Sequence, residues 1–316
     1  MFLFSSLLLA LTGAVADAQP TTAEVRSTVE RSIPYIEKQG LWWIEEKKCA
    51  SCHRVGTMLW SLQNAKQHGF TVSDRLQEWT DWANDKALSK NDKGQLAGTT
   101  NKEGVVQQLF AFAPANSDPE TRKKLIGLLS VDQRPDGSWK AGGQLPFQKR
   151  AKPETDAVST MWLTLGLLTA ADDPQNQKTI QQAQTFIDKS TPGKSTEWYV
   201  MKLLLATSQK QNQQRDQMIQ QLQSLQHEDG GWGWLTSDPS DALGTGMALF
   251  ALRKAGVDLQ AEPVRRAEQF LISTQKKDGS WPVKGTKAKK KDRIEETAVY
   301  WGTTWAVLGL LECLPQ

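Results

Sequence analysis

The sequence predicts an all-α fold, a single (α/α)6 toroid in which six helical hairpins close into a ring. Three observations predict it: a short loop motif that occurs three times, an alternation of polar-rich and apolar helical stretches around the copies, and room for six such pairs once the N-terminal segment is set aside. Internal repetition at roughly fifty residues marks an array of similar supersecondary units. Hydrophobic content of 39% and charged content of 23% are those of an ordinary globular chain, large enough for one big domain or two small ones. A net charge of +3 is too small to point to a nucleic-acid partner. Thirteen Trp against three Tyr is unusual and calls for an architectural or ligand-binding explanation.

The first element is an apolar stretch from Phe2 to Val15 followed by Ala16, Asp17 and Ala18. A short apolar run ending in a small-x-small site reads as a secretory signal peptide, residues 1–18, cut before Gln19. It is too short to span a bilayer as a stable helix, and no later segment is apolar enough to do so. The expectation is an exported toroid domain over residues 19–316.

The loop motif comes next. Gln133 to Trp139 (QRPDGSW), Gln226 to Trp232 (QHEDGGW) and Gln275 to Trp281 (QKKDGSW) share the pattern Q-x-x-D-G-[SG]-W. Each follows an amphipathic stretch, with apolar Met218, Ile219, Leu222 and Leu225 before the second copy and Ala267, Phe270, Leu271 and Ile272 before the third. Asp-Gly there is a helix stop, because Gly adopts the left-handed conformation cheaply. After each loop comes a more apolar helix, over 156–170, 241–255 and 297–313. Three further hairpins pair 24–39 with 55–67, 73–85 with 103–112, and 175–189 with 195–208. Stretches such as MWLTLGLL, from Met161, are apolar on every side and so are buried on every side. The pattern predicts an inner ring of apolar helices within an outer ring of amphipathic ones, closed because the first and last inner helices are as apolar as the middle ones.

At this point the residues resemble a known family. Q-x-x-D-G-[SG]-W is similar to the QW repeat of squalene-hopene and oxidosqualene cyclases, seen loosely in protein prenyltransferase β subunits, and the likeness is strongest from Gln133 to Leu311. The resemblance implies that Gln133, Trp139, Gln226, Trp232, Gln275 and Trp281 clamp outer helices together and are structural. It also implies an acid at the start of an inner helix, D-x-D-D, to protonate a polyene. The nearest stretches here are Asp238 to Thr245 (DPSDALGT) and Glu154 to Asp156 (ETD), and neither reproduces that motif. Asp156 and Asp241 are the candidate acids, which would need to be held neutral by burial and neighbouring charge. The prenyltransferase zinc site is not reproduced.

The sharpest local signal is Cys49 to His53 (CASCH). Cys-x-x-Cys-His reads as covalent haem c attachment: two thiols reach the two vinyl groups and the adjacent His ligates iron. Cys49, Cys52 and His53 are therefore candidate cofactor-binding residues, with His53 as the metal ligand. The same pair also reads as half of a zinc site or as a disulfide in an oxidising compartment. The inner helices share a small residue followed by Thr57, Thr160, Thr245 or Thr303. Four residues before these lie His53, Asp156, Asp241 and Val299. With Glu103, Glu197 and Glu296, ionisable groups gather at one mouth of the ring.

Aromatic residues of the inner helices, including Trp60, Phe110, Trp162, Phe250 and Trp305, read as apolar core. With an open centre they would line a cavity for an apolar small molecule or haem. Lys284 to Arg293 is a basic run that reads as a solvated loop or a peripheral contact with an anionic membrane. Residues 85–101 read as a mobile connection over one mouth, and Cys313 as a buried small hydrophobe.

Overall fold

A computed structural model describes residues 19–52, 54–112, 118–142 and 148–315. The proposed leader, His53 and the segments 113–117 and 143–147 lie outside the described residues. The outer helices are α1 (Thr22–Trp42), α3 (Leu76–Leu88), α5 (Pro119–Ser130), α7 (Pro174–Lys189), α9 (Asn212–Ser224) and α11 (Glu262–Thr274). The inner helices are α2 (Val55–Gln67), α4 (Lys102–Phe110), α6 (Lys152–Leu168), α8 (Thr196–Ser208), α10 (Ala242–Lys254) and α12 (Glu296–Leu311). Each inner helix packs on the next, and α12 packs on α2, so the ring closes. Among the described residues only isolated β-bridges occur.

Local chemistry sets the helix starts. Asp118 and Asp173 each accept backbone N–H bonds from the first turn that follows, with a proline at the first helical position. Thr21 and Glu24 form a reciprocal capping box on α1. Polarity then sorts the two rings. Every residue from Ala242 to Leu252 in α10 is buried, whereas α9 buries only Met218 and Leu222. Gly246 lets α10 and α12 touch backbone to backbone: a Cβ there would stand 2.4 Å from the carbonyl carbon of Trp305.

The three loops are the joints of the outer ring. Gln133 Nε2 donates to Gly137 O and, across to α7, to Thr179 O, both at 3.0 Å. Gln226 Nε2 donates to Gly230 O and, across to α11, to Pro263 O, both at 2.8 Å. Gln275 Nε2 donates to Thr28 O on α1 at 2.9 Å. Each Trp donates its indole N–H back to the preceding outer helix or its cap, at Val131, Leu222 and Leu271 respectively. Its backbone N–H goes to Thr160, Thr245 or Thr303 on the following inner helix. The recurring inner-helix Thr is thus the acceptor for the loop, a role the small-Thr pattern did not disclose. The glycine of each loop has a φ between 82° and 89°. Trp139, Trp232 and Trp281 are fully buried, and truncating any one to Ala should cost about 3–5 kcal/mol.

Candidate functional site at the mouth of the ring

Inner helices begin at one mouth, where Glu103, Asp156, Glu197, Asp241 and Glu296 stand close to their starts; His53, also expected there, lies outside the described residues. Most are answered by a partner. Asp156 Oδ1 accepts the Ala141 N–H at 3.1 Å, and Oδ2 takes Arg134 at 3.0 Å and Lys152 at 2.5 Å. Burial alone would raise its pKa, but the bonds from Lys152, Ala141 and Arg134 outweigh it and hold the carboxyl below the ordinary range. Asp156 is an ionised, paired carboxylate, the opposite of what a proton donor needs. Glu154 Oε1 accepts from the Ser195 hydroxyl at 2.6 Å and its N–H at 2.8 Å. Glu197 accepts from Arg150 at 2.6 Å and from the Trp162 indole at 2.9 Å. Glu296 pairs with Arg54.

Two carboxyls are held toward the neutral form. Glu103, in the first turn of α4, is pushed up by burial and by the charge of Glu197. It lines a cavity of about 750 Å³ with Lys102, Asp132 and Lys140. Asp241 caps α10, accepting the Gly244 N–H at 2.8 Å. Burial raises it to about 6 against the backbone N–H bonds that lower it, with Asp238 adding to the rise. It lines a second cavity, of about 840 Å³, whose other walls come from residues 148–150, the loop after Trp232 and the strap from Pro282 to Ile294. The basic run is part of that strap: Gly285 N bonds Arg293 O at 3.0 Å, and Thr286 O receives Lys149 N at 2.9 Å.

Below the mouth the centre is filled. Trp60 meets Phe110, Phe250, Trp305 and Trp162 at centroid distances of 5.1, 5.3, 5.2 and 6.4 Å. Trp162 also meets Trp305 at 6.1 Å, and Phe250 meets Trp305 at 5.7 Å. These offset and edge-to-face contacts are the geometry of a packed aromatic core. The rings close on one another instead of walling an open apolar chamber.

Cys49 and Cys52 form a disulfide, with Cα atoms 5.9 Å apart. The loop between them is wedged against α4: Gln108 Nε2 donates to Ala50 O at 3.0 Å and Asn101 Nδ2 donates to Ser51 O. A Cβ at Gly104 would stand 2.0 Å from Ser51 O. In this state both sulfurs are consumed and neither is a thiolate, so neither a thioether to haem nor a bond to zinc can form without reduction. Among the described residues no group of three or more His, Cys, Asp or Glu is placed to hold a metal. Just beyond, the guanidinium of Arg54 lies 5.3, 5.1 and 5.2 Å from the ring centres of Trp42, Trp43 and Tyr300 and donates to Gln39 Oε1 at 2.9 Å.

Sequence reasoning found the acids but missed the cations that answer them: Arg54, Arg134, Arg150 and Lys152. Arg134 occupies a variable place in the loop motif, and Arg54 and Arg150 lie between helices with no spacing that would single them out; Lys152 opens α6 four residues before Asp156, an i,i+4 helix spacing that could have found it.

The model of the squalene-hopene cyclase N-terminal domain matches residues 194–275. The chain is similar to cyclases there. That segment holds α8 to α11 and the whole second loop. A probable squalene-hopene cyclase of Sinorhizobium fredii is 32% identical over 105 residues, 29% of this chain and 14% of that protein. A drimenyl diphosphate synthase of Streptomyces showdoensis is 32% identical over 66 residues, 21% of this chain and 12% of that protein. The matched parts are thus small fractions of these relatives. Solved structures similar over nearly the whole toroid bear other names. An unsaturated glucuronyl hydrolase of Streptococcus agalactiae has a TM-score of 0.64 at 12% identity, covering 93% of this chain and 92% of that one. A family 88 glycosyl hydrolase of Bacteroides vulgatus has a TM-score of 0.61 at 11% identity, covering 93% and 99%. These likenesses show the (α/α)6 toroid, which hosts unrelated chemistries, and leave function to the site.

Proposed function

We propose that the chain is an exported, terpenoid cyclase-like toroid that binds a small polar molecule at the mouth of its ring, with Cys49 and Cys52 as a structural disulfide. One observation carries the reading: the aromatic residues that would surround an isoprenoid are in contact with one another, while an open volume lies at the mouth, where charged groups such as Lys149, Asp238 and Asp241 share the walls with Trp234, Leu235 and Ile294. The ionised state of Asp156 supports it further, since an acid that starts cyclisation must hold its proton. Export is supported by the leader-like residues 1–18 and by a disulfide, which persists in oxidising compartments.

A second reading keeps enzymatic acid chemistry, and Asp241 favours it, because a carboxyl near 6 at a cavity wall can donate or take a proton near neutral pH. The test is direct. Residues 19–316, produced by export in a host with a haem-attachment system, are examined by absorption spectroscopy, zinc analysis and incubation with squalene and shorter polyprenyl substrates. A colourless, zinc-free protein that forms no cyclised product supports the binding reading. A Soret band, equimolar zinc or product lost on Asp241→Asn overturns it.

A further inference from the structure

The two ends of the ring differ in charge and in exposed apolar side chains, and the two differences coincide. At the end where the outer helices start lie the connections 68–75, 111–118, 169–173, 209–211 and 255–261 and the C-terminal residues 312–316. Together these carry six acidic residues against two basic ones. At the mouth, the connections that lead into α12, α2, α4 and α6 (275–295, 43–54, 89–101 and 131–151) carry seventeen basic residues against eight acidic ones. The connection into α10, 225–241, has four acidic residues and no Lys or Arg. Among the described residues the exposed large hydrophobic side chains are Trp42, Leu96, Val131 and Ile294. Each lies in, or directly beside, one of the four basic connections, and none lies in the acidic one. Because α12 packs on α2, α2 on α4 and α4 on α6, these four positions follow one another along an arc of the rim.

The most basic part of the arc has a defined shape. Lys284 and Ile294 form an antiparallel bridge, Gly285 N donates to Arg293 O at 3.0 Å, and Lys287 is bridged to Gln148. Lys284, Lys289, Lys291 and Arg293 are exposed and form no ion pair among the described residues, and Ile294 beside them is 52% exposed. On the neighbouring hairpin Trp42 is 40% exposed, with the Lys47 ammonium 5.0 Å from its ring centre. Glu45 and Glu46 are exposed on the same turn and cancel part of the charge of Lys47 and Lys48.

The centre of a protein–protein contact gathers its apolar anchors into one packed cluster. Here they are set singly among long cationic side chains along an edge. That arrangement fits a bilayer surface, where an indole sits at headgroup level, aliphatic groups enter the acyl boundary and lysines reach anionic phosphates. Each cation brought to an anionic surface strengthens partitioning about fivefold.

We propose that this arc of the mouth docks the protein on an anionic lipid bilayer, with Trp42 and Ile294 entering the interface and the exposed cations of 284–293 meeting the headgroups. The proposal goes beyond the small-molecule reading of the mouth and does not depend on it.

The test is co-sedimentation of residues 19–316 with vesicles of phosphatidylcholine alone and of phosphatidylcholine with about one-third phosphatidylglycerol. Binding to the anionic vesicles should be at least about tenfold stronger, and should fall by about tenfold in roughly 0.5 M salt. Lys289→Gln, Lys291→Gln and Arg293→Gln combined should weaken it at least about tenfold. Trp42→Ser with Ile294→Ser should weaken it by about tenfold. The same loss of charge at the opposite end, Lys66→Gln, Lys123→Gln and Lys210→Gln combined, should change it by less than about twofold. All of these side chains are exposed, and thermal melts check that each variant is folded. No preference for anionic vesicles overturns the proposal, and so does an equal loss from the two lysine sets, which would make net charge the cause. Tight retention on heparin, with vesicle binding unmoved by Trp42→Ser and Ile294→Ser, overturns the bilayer in favour of a soluble polyanion.

Discussion

Gln275, in the third loop, donates through Nε2 to the hydroxyl of Ser32 on α1 at 2.9 Å, across 243 residues of sequence. The same side chain accepts from Arg31 Nε at 2.8 Å, and Ser32 Oγ donates on to Gly279 O at 2.9 Å. The last repeat loop is therefore the clasp that joins the end of the chain to its first helix, built from the same residues that join neighbouring repeats elsewhere. Gln275→Leu should cost about 1–3 kcal/mol in urea denaturation, with faster amide exchange in α1 than in α7. Gly279→Ala should cost more. Its φ is 82°, and an added Cβ would stand 1.9 Å from Arg31 O, so strain and a backbone clash add together. Equal exchange in both helices would show that closure does not depend on the clasp.

The disulfide spans only four residues, so its contribution through chain entropy is small, about 2 kcal/mol. Reduction, or Cys49→Ser with Cys52→Ser, should lower stability by that amount without changing the far-ultraviolet helical signal. The loop remains gripped from α4 by Gln108. Loss of helical signal on reduction would mean that the pair holds up far more of the ring than its loop length implies.

Fold and site were unequally legible in the sequence. Periodic apolar helices and three copies of Gln133 to Trp139 disclosed the ring, because burial and capping act through residue types at fixed spacing. The starts of α2, α8 and α10 fall within a residue of expectation, since Asp241 and Ser195 announce themselves as caps. The long-range ion pairs of the mouth did not show. Arg150 meets Glu197 across 47 residues and Arg54 meets Glu296 across 242, distances that no local pattern encodes. The acids at inner-helix N-termini looked alike in the sequence, and their differing states depend on which loop cation reaches each one.

Asp241 carries one such state into a measurable pH dependence. Its pKa rises from 3.8 to about 6 on folding, so its contribution is full below 3.8 and is lost as pH rises through 6. Asn caps a helix as well as Asp does and carries no charge to bury. Asp241→Asn should therefore leave stability unchanged near pH 3.5 and raise it by about 1–3 kcal/mol above pH 7. A stability difference that does not vary between these pH values would place Asp241 in water as an ordinary cap.

Glu268 provides the same logic outside the linings of the two mouth cavities. It sits on α11, 2% exposed, beside the buried Cys313, and its Oε2 has no hydrogen-bond partner. Burial lifts its pKa from 4.5 to about 7, with the Cys313 thiol and the Arg253 charge only partly opposing the rise. The folded state thus favours the protonated form. Stability from this group is complete below 4.5 and is lost as pH rises through 7, a span worth about 3 kcal/mol. Glu268→Gln mimics the protonated acid, so it should be neutral at pH 4 and stabilising by up to about 3 kcal/mol at pH 8, read from denaturant midpoints. Arg253 opposes the rise, so in an Arg253→Met background the carboxyl should be pushed up further and the gain from Glu268→Gln at pH 8 should grow. A gain that shrinks in that background would show that the arginine does not lower the pKa of this carboxyl.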